Sequence, residues 1–168
     1  MPDPAVTERR PAAIIEIGAW PETAGPARAA LERLIDLSVP TVLGEATTRG
    51  TRTVMALTPG RWLAVDEEPL PFASLAALAA PGTLVVTDLS DARGVFRIAG
   101  HGAVAVLRQG PKIDLDRRSF APGRVALTSF QQMGVLIHRV AIDSFDLYID
   151  LSYLHACRAW LADAAREL

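Results

Sequence analysis

The sequence predicts an α+β fold: antiparallel sheets with packed helices, arranged in two related halves. Three observations lead there. Phe145, Leu147 and Ile149 alternate with Asp146 and Tyr148, the period of two of a strand with one buried face. Directly after them, Leu154, Cys157, Leu161, Ala164 or Ala165, and Leu168 recur at three- and four-residue intervals, the spacing of an amphipathic helix. The same theme of strands followed by a helix can be traced through the first half of the 168 residues, although the two halves share no residue-level identity.

Residues 1–11 carry three prolines and several charges and read as a disordered or loosely docked lead. One domain is expected over 12–168, with halves at about 12–82 and 83–168. Ile14, Ile15, Ile17 and Trp20 form a strand ended by Pro21. A helix follows over about 22–37, begun by Thr23 and Pro26, with Leu31, Leu34 and Ile35 inside and Arg28, Glu32 and Arg33 outside. Two short strands, 51–57 and 61–65, flank Thr58-Pro59-Gly60, where proline presets one turn torsion and glycine tolerates the next. A short helix over 70–79 is stopped by Pro81-Gly82.

The second half begins with strands at 83–87 and 95–98, bridged by Asp88-Leu89-Ser90-Asp91, and a helix from Gly102 to Arg108. After a loop over 109–123 come two adjoining apolar strands from Val125, then the third strand at Phe145, which pairs back on 135–141 through the turn formers Asp143 and Ser144. Asp150 or Ser152 caps the last helix, and His155, Arg158, Asp163 and Arg166 fall on its polar face.

Composition excludes several function classes. A net charge of -2 and a pI near 5.9 offer no basic patch to a nucleic acid or an anionic membrane. No apolar run approaches the roughly 20 residues needed to span a bilayer, and the start Met1-Pro2-Asp3-Pro4 lacks the basic and apolar parts of a secretory signal, so a cytoplasmic location is expected. Cys157, the one cysteine, lies on the apolar helix face with no His or Lys one turn away to activate it.

No chemical motif reaches catalytic strength. Gly100-His101-Gly102 follows a strand and precedes a helix, but it lacks the third glycine and the parallel unit of a phosphate-binding loop, so it reads as a tight turn. His101, His138 and His155 are too scattered for a metal site. Ser129, His138 and Asp143 offer triad residue types without a nucleophile turn. Glu67-Glu68 and Asp114-Leu115-Asp116-Arg117-Arg118 read as solvated loop charge. The aromatics Trp20, Trp62, Phe120, Phe130, Tyr153 and Trp160 are assigned mostly to the core, and the apolar surplus suggests a surface covered by a partner.

Several segments in order resemble the gamma-subunit family of heterotetrameric sarcosine oxidases. They are Ala19-Trp20-Pro21, Pro59-Gly60-Arg61-Trp62-Leu63, Asp88-Leu89-Ser90, Val95-Phe96-Arg97-Ile98 entering Gly100, then Ala103, Leu107, Gly110, Asp114-Leu115, and Phe120 with Pro122-Gly123. The tail adds Leu136-Ile137-His138-Arg139, Phe145 with Leu147-Tyr148-Ile149, Ser152-Tyr153, and Trp160-Leu161 with Asp163-Ala164-Ala165. The match spans about Ile14 to the C-terminus. It implies the folate-binding aminomethyltransferase (glycine cleavage T-protein) fold, and a non-catalytic subunit beside alpha, beta and delta chains. In that family the partner chains hold FAD, FMN, NAD and the tetrahydrofolate site, and oxidise sarcosine to glycine. For this chain the resemblance implies no catalytic residue, no cofactor and no metal of its own. Where the aminomethyltransferases carry an acidic residue at the folate, this sequence reads Ile137-His138-Arg139. The alternatives are a free-standing folate-dependent aminomethyl or methyl transferase, and a stand-alone small-molecule-binding module.

Overall fold

The structure is a computed structural model that describes residues 4–79, 82–130 and 132–167. It divides into two compact units, one of residues 11–91 and one of residues 1–10 with 92–168. Strand β1 (Ala5–Arg9) belongs to the second of these. The expected disordered lead is therefore corrected over these residues: they pair with a distant strand, so long-range backbone bonding rather than local propensity orders them.

The unit of residues 11–91 runs β2 (Ala13–Ala19), α1 (Ala24–Ile35), β3 (Ala46–Arg49), β4 (Arg52–Thr58), β5 (Arg61–Asp66), α2 (Phe72–Leu78) and β6 (Leu84–Asp88). Its five strands lie antiparallel in the order β3-β4-β5-β2-β6. Ile15, Ile17, Val54, Ala56, Trp62 and Ala64 form one sheet face, covered by Leu31 and Ile35 of α1 and Leu75 of α2. Gly60 turns the β4–β5 hairpin at φ 72°, and its carbonyl accepts a 2.7 Å bond from the Ala19 amide. A side chain at that position would run into the Ala19 carbonyl.

The unit of residues 92–168 runs β7 (Arg93–Ala99), α3 (Ala103–Arg108), β8 (Val125–Phe130), β9 (Met133–Ala141), β10 (Ser144–Asp150), one 3-10 turn (Leu151–Tyr153) and α4 (Leu154–Arg166). With β1 it forms a second antiparallel sheet in the order β1-β7-β10-β9-β8. Phe96, Ile98, Ile137, Phe145, Leu147 and Ile149 meet Cys157, Leu161 and Ala164 of α4 in its core. Asp150 caps the 3-10 turn, accepting the Ser152 amide at 3.0 Å, as the sequence suggests.

The echo between halves is a repeat of topology. Strand, helix, three strands and helix recur as β2-α1-β3-β4-β5-α2 and β7-α3-β8-β9-β10-α4, and the strands take matching places in each sheet. The fifth strand differs. β6 follows α2, whereas β1 fills the same place from the opposite end of the chain. Residues 84–88 accordingly join the sheet of the first half, with β6 paired on β2, and do not form a hairpin with 95–98.

One further expectation is corrected, and two local features are added. Asp146 and Tyr148 do not face solvent, because β10 is the central strand of its sheet and both faces are covered. β3 is an additional strand, Ala-Thr-Thr-Arg, that carries no apolar alternation. Thr23 stands before α1 without capping it, since its hydroxyl donates to the Thr83 carbonyl at 2.5 Å.

Candidate functional site

The antiparallel register brings a polar row across the second sheet. Thr7 lies opposite Arg97, Arg97 opposite Asp146, Asp146 opposite His138, and His138 opposite Val125, so one residue comes from each of five strands. The row lies on the face away from the α4 core, because Phe96, Ile98, Phe145 and Leu147 alternate to the other side. Arg97 grips Asp146 through two bonds of 2.7 Å, and Arg9 adds a third of 2.6 Å. Asp146 is 2% exposed, so it is a desolvated carboxylate neutralised by two guanidinium groups.

His138 is 3% exposed at the end of this grip. Burial pushes its pKa down to about 4, Arg97 and Arg9 push the same way, and Asp146 opposes them. It is a neutral imidazole at pH 7. Asp146 accepts three charge-assisted bonds, so the cluster ties β1, β7 and β10 together.

The other histidines stand apart. His101 is exposed beside Asp143, with Nδ1 3.3 Å from the carboxylate, and His155 is exposed on α4. Gly100 adopts φ 105° and its amide donates to the Asp143 carbonyl at 2.8 Å, which makes Gly100-His101-Gly102 a turn bound to the β9–β10 hairpin. Ser129 pairs with Gly134, four positions along β9 from His138. Four strand residues are roughly 13 Å, so Ser129 and His138 do not form a nucleophile pair. Among the described residues no group of His, Cys, Asp and Glu could hold a metal ion.

Arg139 is the buried cation that residue patterning misses. It projects to the core face, its Nη1 donates to the carbonyls of Leu115 at 3.1 Å and Phe120 at 2.7 Å, and its Nε donates to Ile142 at 3.1 Å. Its guanidinium carbon lies 5.0 Å above the Phe145 ring. It holds the 109–123 loop by its backbone. Ile137 is also buried in this core, so all three side chains of Ile137-His138-Arg139 are enclosed and committed.

The unit of residues 11–91 has its own buried carboxylate at Asp66. Burial raises its pKa, but bonds from Thr51, the Glu68 amide and Arg52 outweigh that and hold it below the usual carboxylate value. Arg52 also donates to the Ile35 carbonyl at the end of α1. A hollow of about 210 Å³ lies beside Gly25, Arg28, Leu43, Thr58 and Trp62. That is smaller than the roughly 300 Å³ at which small-molecule pockets begin.

Cys157 is buried, and desolvation pushes its thiol up to about 12. Glu67 and Glu68 are exposed, while Asp114 and Asp116 accept the amides of Asp116 and Arg118 at 2.9 Å, so these charges serve local turns. Trp62, Phe120 and Phe130 are core, and Trp160 packs on Phe130 with ring centroids 4.1 Å apart. Trp20 and Tyr153 are exposed, so most of the six aromatics, but not these two, are core. No helix among the described residues is long and apolar enough to cross a membrane.

No family model matches the chain. It is 30% identical over 165 residues to the sarcosine oxidase subunit gamma of Corynebacterium sp. (strain U-96), an alignment covering 97% of this chain and 80% of that protein. It is 31% identical over 169 residues to the sarcosine oxidase subunit gamma of an Arthrobacter species, covering 97% and 81%. A chain of the heterotetrameric sarcosine oxidase from Corynebacterium sp. U-96, solved with pyrrole 2-carboxylate, superposes with a TM-score of 0.88 at 27% identity over 98% of this chain and 84% of that one. The glycine cleavage system aminomethyltransferase T of Bartonella henselae superposes with a TM-score of 0.67 at 15% identity, over 95% of this chain and 45% of that one, a likeness of fold.

Proposed function

The chain belongs to the family of sarcosine oxidase gamma subunits, and on that premise we propose that its part in the oxidase is structural, with the chemistry carried by the partner subunits. The likeness over nearly the whole chain to a chain of a heterotetrameric sarcosine oxidase carries this reading. The assembly oxidises sarcosine to glycine and passes the one-carbon unit to tetrahydrofolate. The alpha, beta and delta chains are the partners, and FAD, FMN, NAD and tetrahydrofolate are held there. The complex works in the cytoplasm.

The chemistry of the residues supports this division of labour. Asp146 and Arg139 are buried and bonded to their neighbours, and burial pushes the enclosed His138 imidazole down to about 4. The Cys157 thiol is protonated and buried. A subunit whose work is burial needs apolar surface and a rigid frame, and both sheets supply the frame.

Affinity purification of the tagged chain from its native cells tests the reading. The expected result is a yellow complex with two larger chains and one small one, consuming oxygen when sarcosine is added. A colourless protein recovered alone, binding a folate or another small molecule, would overturn it.

A further inference from the structure

Among the described strands β1 is held to its sheet in a way of its own. None of its five residues is buried, whereas five of the seven on β10 are. β3 also has no buried residue, but a two-residue turn at Gly50 and Thr51 joins it to β4. β1 has no hairpin, because its neighbour β7 begins only at Arg93. Its place in the sheet therefore rests on the ladder from Ala5–Ala99 to Arg9–Val95, on the partly buried Val6, and on charge.

The charge forms a clasp on each face of the sheet. Val6 and Glu8 point to the helix side, where the Glu8 carboxylate accepts a bond from Arg158 of α4. Arg9 points to the other side and reaches across β7 to Asp146 of β10 at 2.6 Å. The two clasps differ in exposure. The side chains of Glu8 and Arg158 are 23% and 51% exposed, so salt screens their attraction, whereas the enclosed Asp146 keeps its grip on Arg9.

The clasped strand also ends where the chain changes units. Arg10 is the last residue of one unit and Pro11 the first of the other, and the chain crosses back at 91–92. While β1 is docked, the chain joins the units twice. Once β1 lets go, it becomes an arm of the unit of residues 11–91, and the junction at 91–92 alone remains.

We propose that β1 is a detachable strap, which opens as one piece while β7, β10, β9 and β8 stay paired, and that the Glu8–Arg158 clasp sets how often it opens. Because β1 brings no buried side chain with it, its release leaves the core on α4 intact.

Hydrogen exchange of the full chain tests the strap, with β10 as the internal reference. The protected amides of β1 are expected to exchange at least about tenfold faster than those of β10, through an opening that low urea leaves unchanged. Raising the salt to about 1 M should speed β1 about threefold relative to β10, and Glu8→Gln should do the same at low salt. A lock supplies the converse. Ala5 and Ala99 lie opposite each other, and paired Cα atoms roughly 4.5 to 5.5 Å apart are within reach of a disulfide. In the variant Ala5→Cys with Ala99→Cys, oxidation should slow β1 to the rate of β7, and reduction should restore it. If that disulfide does not form, the salt and urea measurements on the wild-type chain decide. One exchange rate and one urea dependence for β1 and β10 would overturn the proposal, since the sheet would then open only as a whole. Exchange of β1 that ignores both salt and Glu8→Gln would overturn it as well, and so would an oxidised lock that leaves β1 as fast as before.

Discussion

The two units hold their buried aspartates by different means. Asp66 ends β5 and draws on Thr51, Arg52 and the Glu68 amide, all within fifteen residues of it in sequence. Asp146 sits in the middle of a central strand and draws on Arg97, 49 residues away, and on Arg9, 137 residues away. The contrast follows from the fifth strand. In the unit of residues 11–91 the chain delivers β6 directly after α2, but in the other unit β1 arrives from the N-terminus and must be fastened. Arg9–Asp146 and Arg158–Glu8 are its fastenings, since Val6 is the apolar side chain that β1 sets against the core.

The sharpest way to break this comparison is Asp146→Ala. It leaves two guanidinium groups without their carboxylate in a mostly buried place, and breaking such a pair costs about 3 to 5 kcal/mol. Partial solvation of Arg9 and Arg97 puts the expected loss near the lower end, about 3 kcal/mol in urea unfolding. Backbone amides of β1 should lose hydrogen-exchange protection before those of β7. Asp66→Ala should cost less, about 2 kcal/mol, because its partners remain held by local turns. Equal losses, with β1 still protected, would show that the fifth strand does not depend on the charge.

The aromatics supply a second contrast of similar size. Trp160→Ala removes a ring packed at a tilt of 57° against Phe130, beside Gly110, and should cost about 3 kcal/mol. Trp20→Ala should change the isolated chain by less than about 0.5 kcal/mol, because its ring stands mostly in solvent. A large loss from Trp20→Ala would move that residue from surface to frame.

These differences mark where the sequence was readable. The alternation of Phe145, Leu147 and Ile149 and the helical spacing of Cys157, Leu161 and Ala164 identify a sheet and helix correctly, because one buried face is enough to impose each period. A period of two does not say whether the second face is also covered, so Asp146 and Tyr148 looked solvent-facing. β1 and β3 were illegible because their order comes from partners distant in the chain or from backbone pairing, not from apolar pattern. Arg139 was hidden for a related reason: a charged residue in a strand reads as exposed until the carbonyls of a long loop converge on it. The family, by contrast, was legible from the order of turn and packing segments. Those segments preserve spacing even where no single one carries chemistry.

His138 separates the units by pH. Its folded pKa of about 4 lies below its ordinary value of 6.5, so between those values the unfolded chain binds a proton that the folded chain excludes. Stability is therefore full above pH 6.5 and falls as pH drops towards 4, by an amount of order 2 to 3 kcal/mol. His138→Gln should flatten that slope. Asp66 contributes in a lower window, because its pKa is held below the ordinary value of 3.8 and its stabilisation is lost as pH falls through that depressed value. A slope unchanged by His138→Gln would place the acid sensitivity elsewhere.

The smallest effect distinguishes backbone freedom from close approach at two glycines in the unit of residues 11–91. Gly50 and Gly60 both have positive φ, at 61° and 72°. Around Gly50 a new side chain meets nothing within 4 Å, so Gly50→Ala should cost about 1 kcal/mol from the left-handed backbone alone. At Gly60 the same substitution adds a collision with the Ala19 carbonyl, which already accommodates the β4–β5 turn through the Ala19 amide bond. Its cost should exceed that of Gly50→Ala by more than about 1 kcal/mol in the same unfolding measurement. Equal costs would mean that β2 yields to the new side chain, and that the anchoring of the hairpin by Ala19 is softer than its 2.7 Å bond indicates.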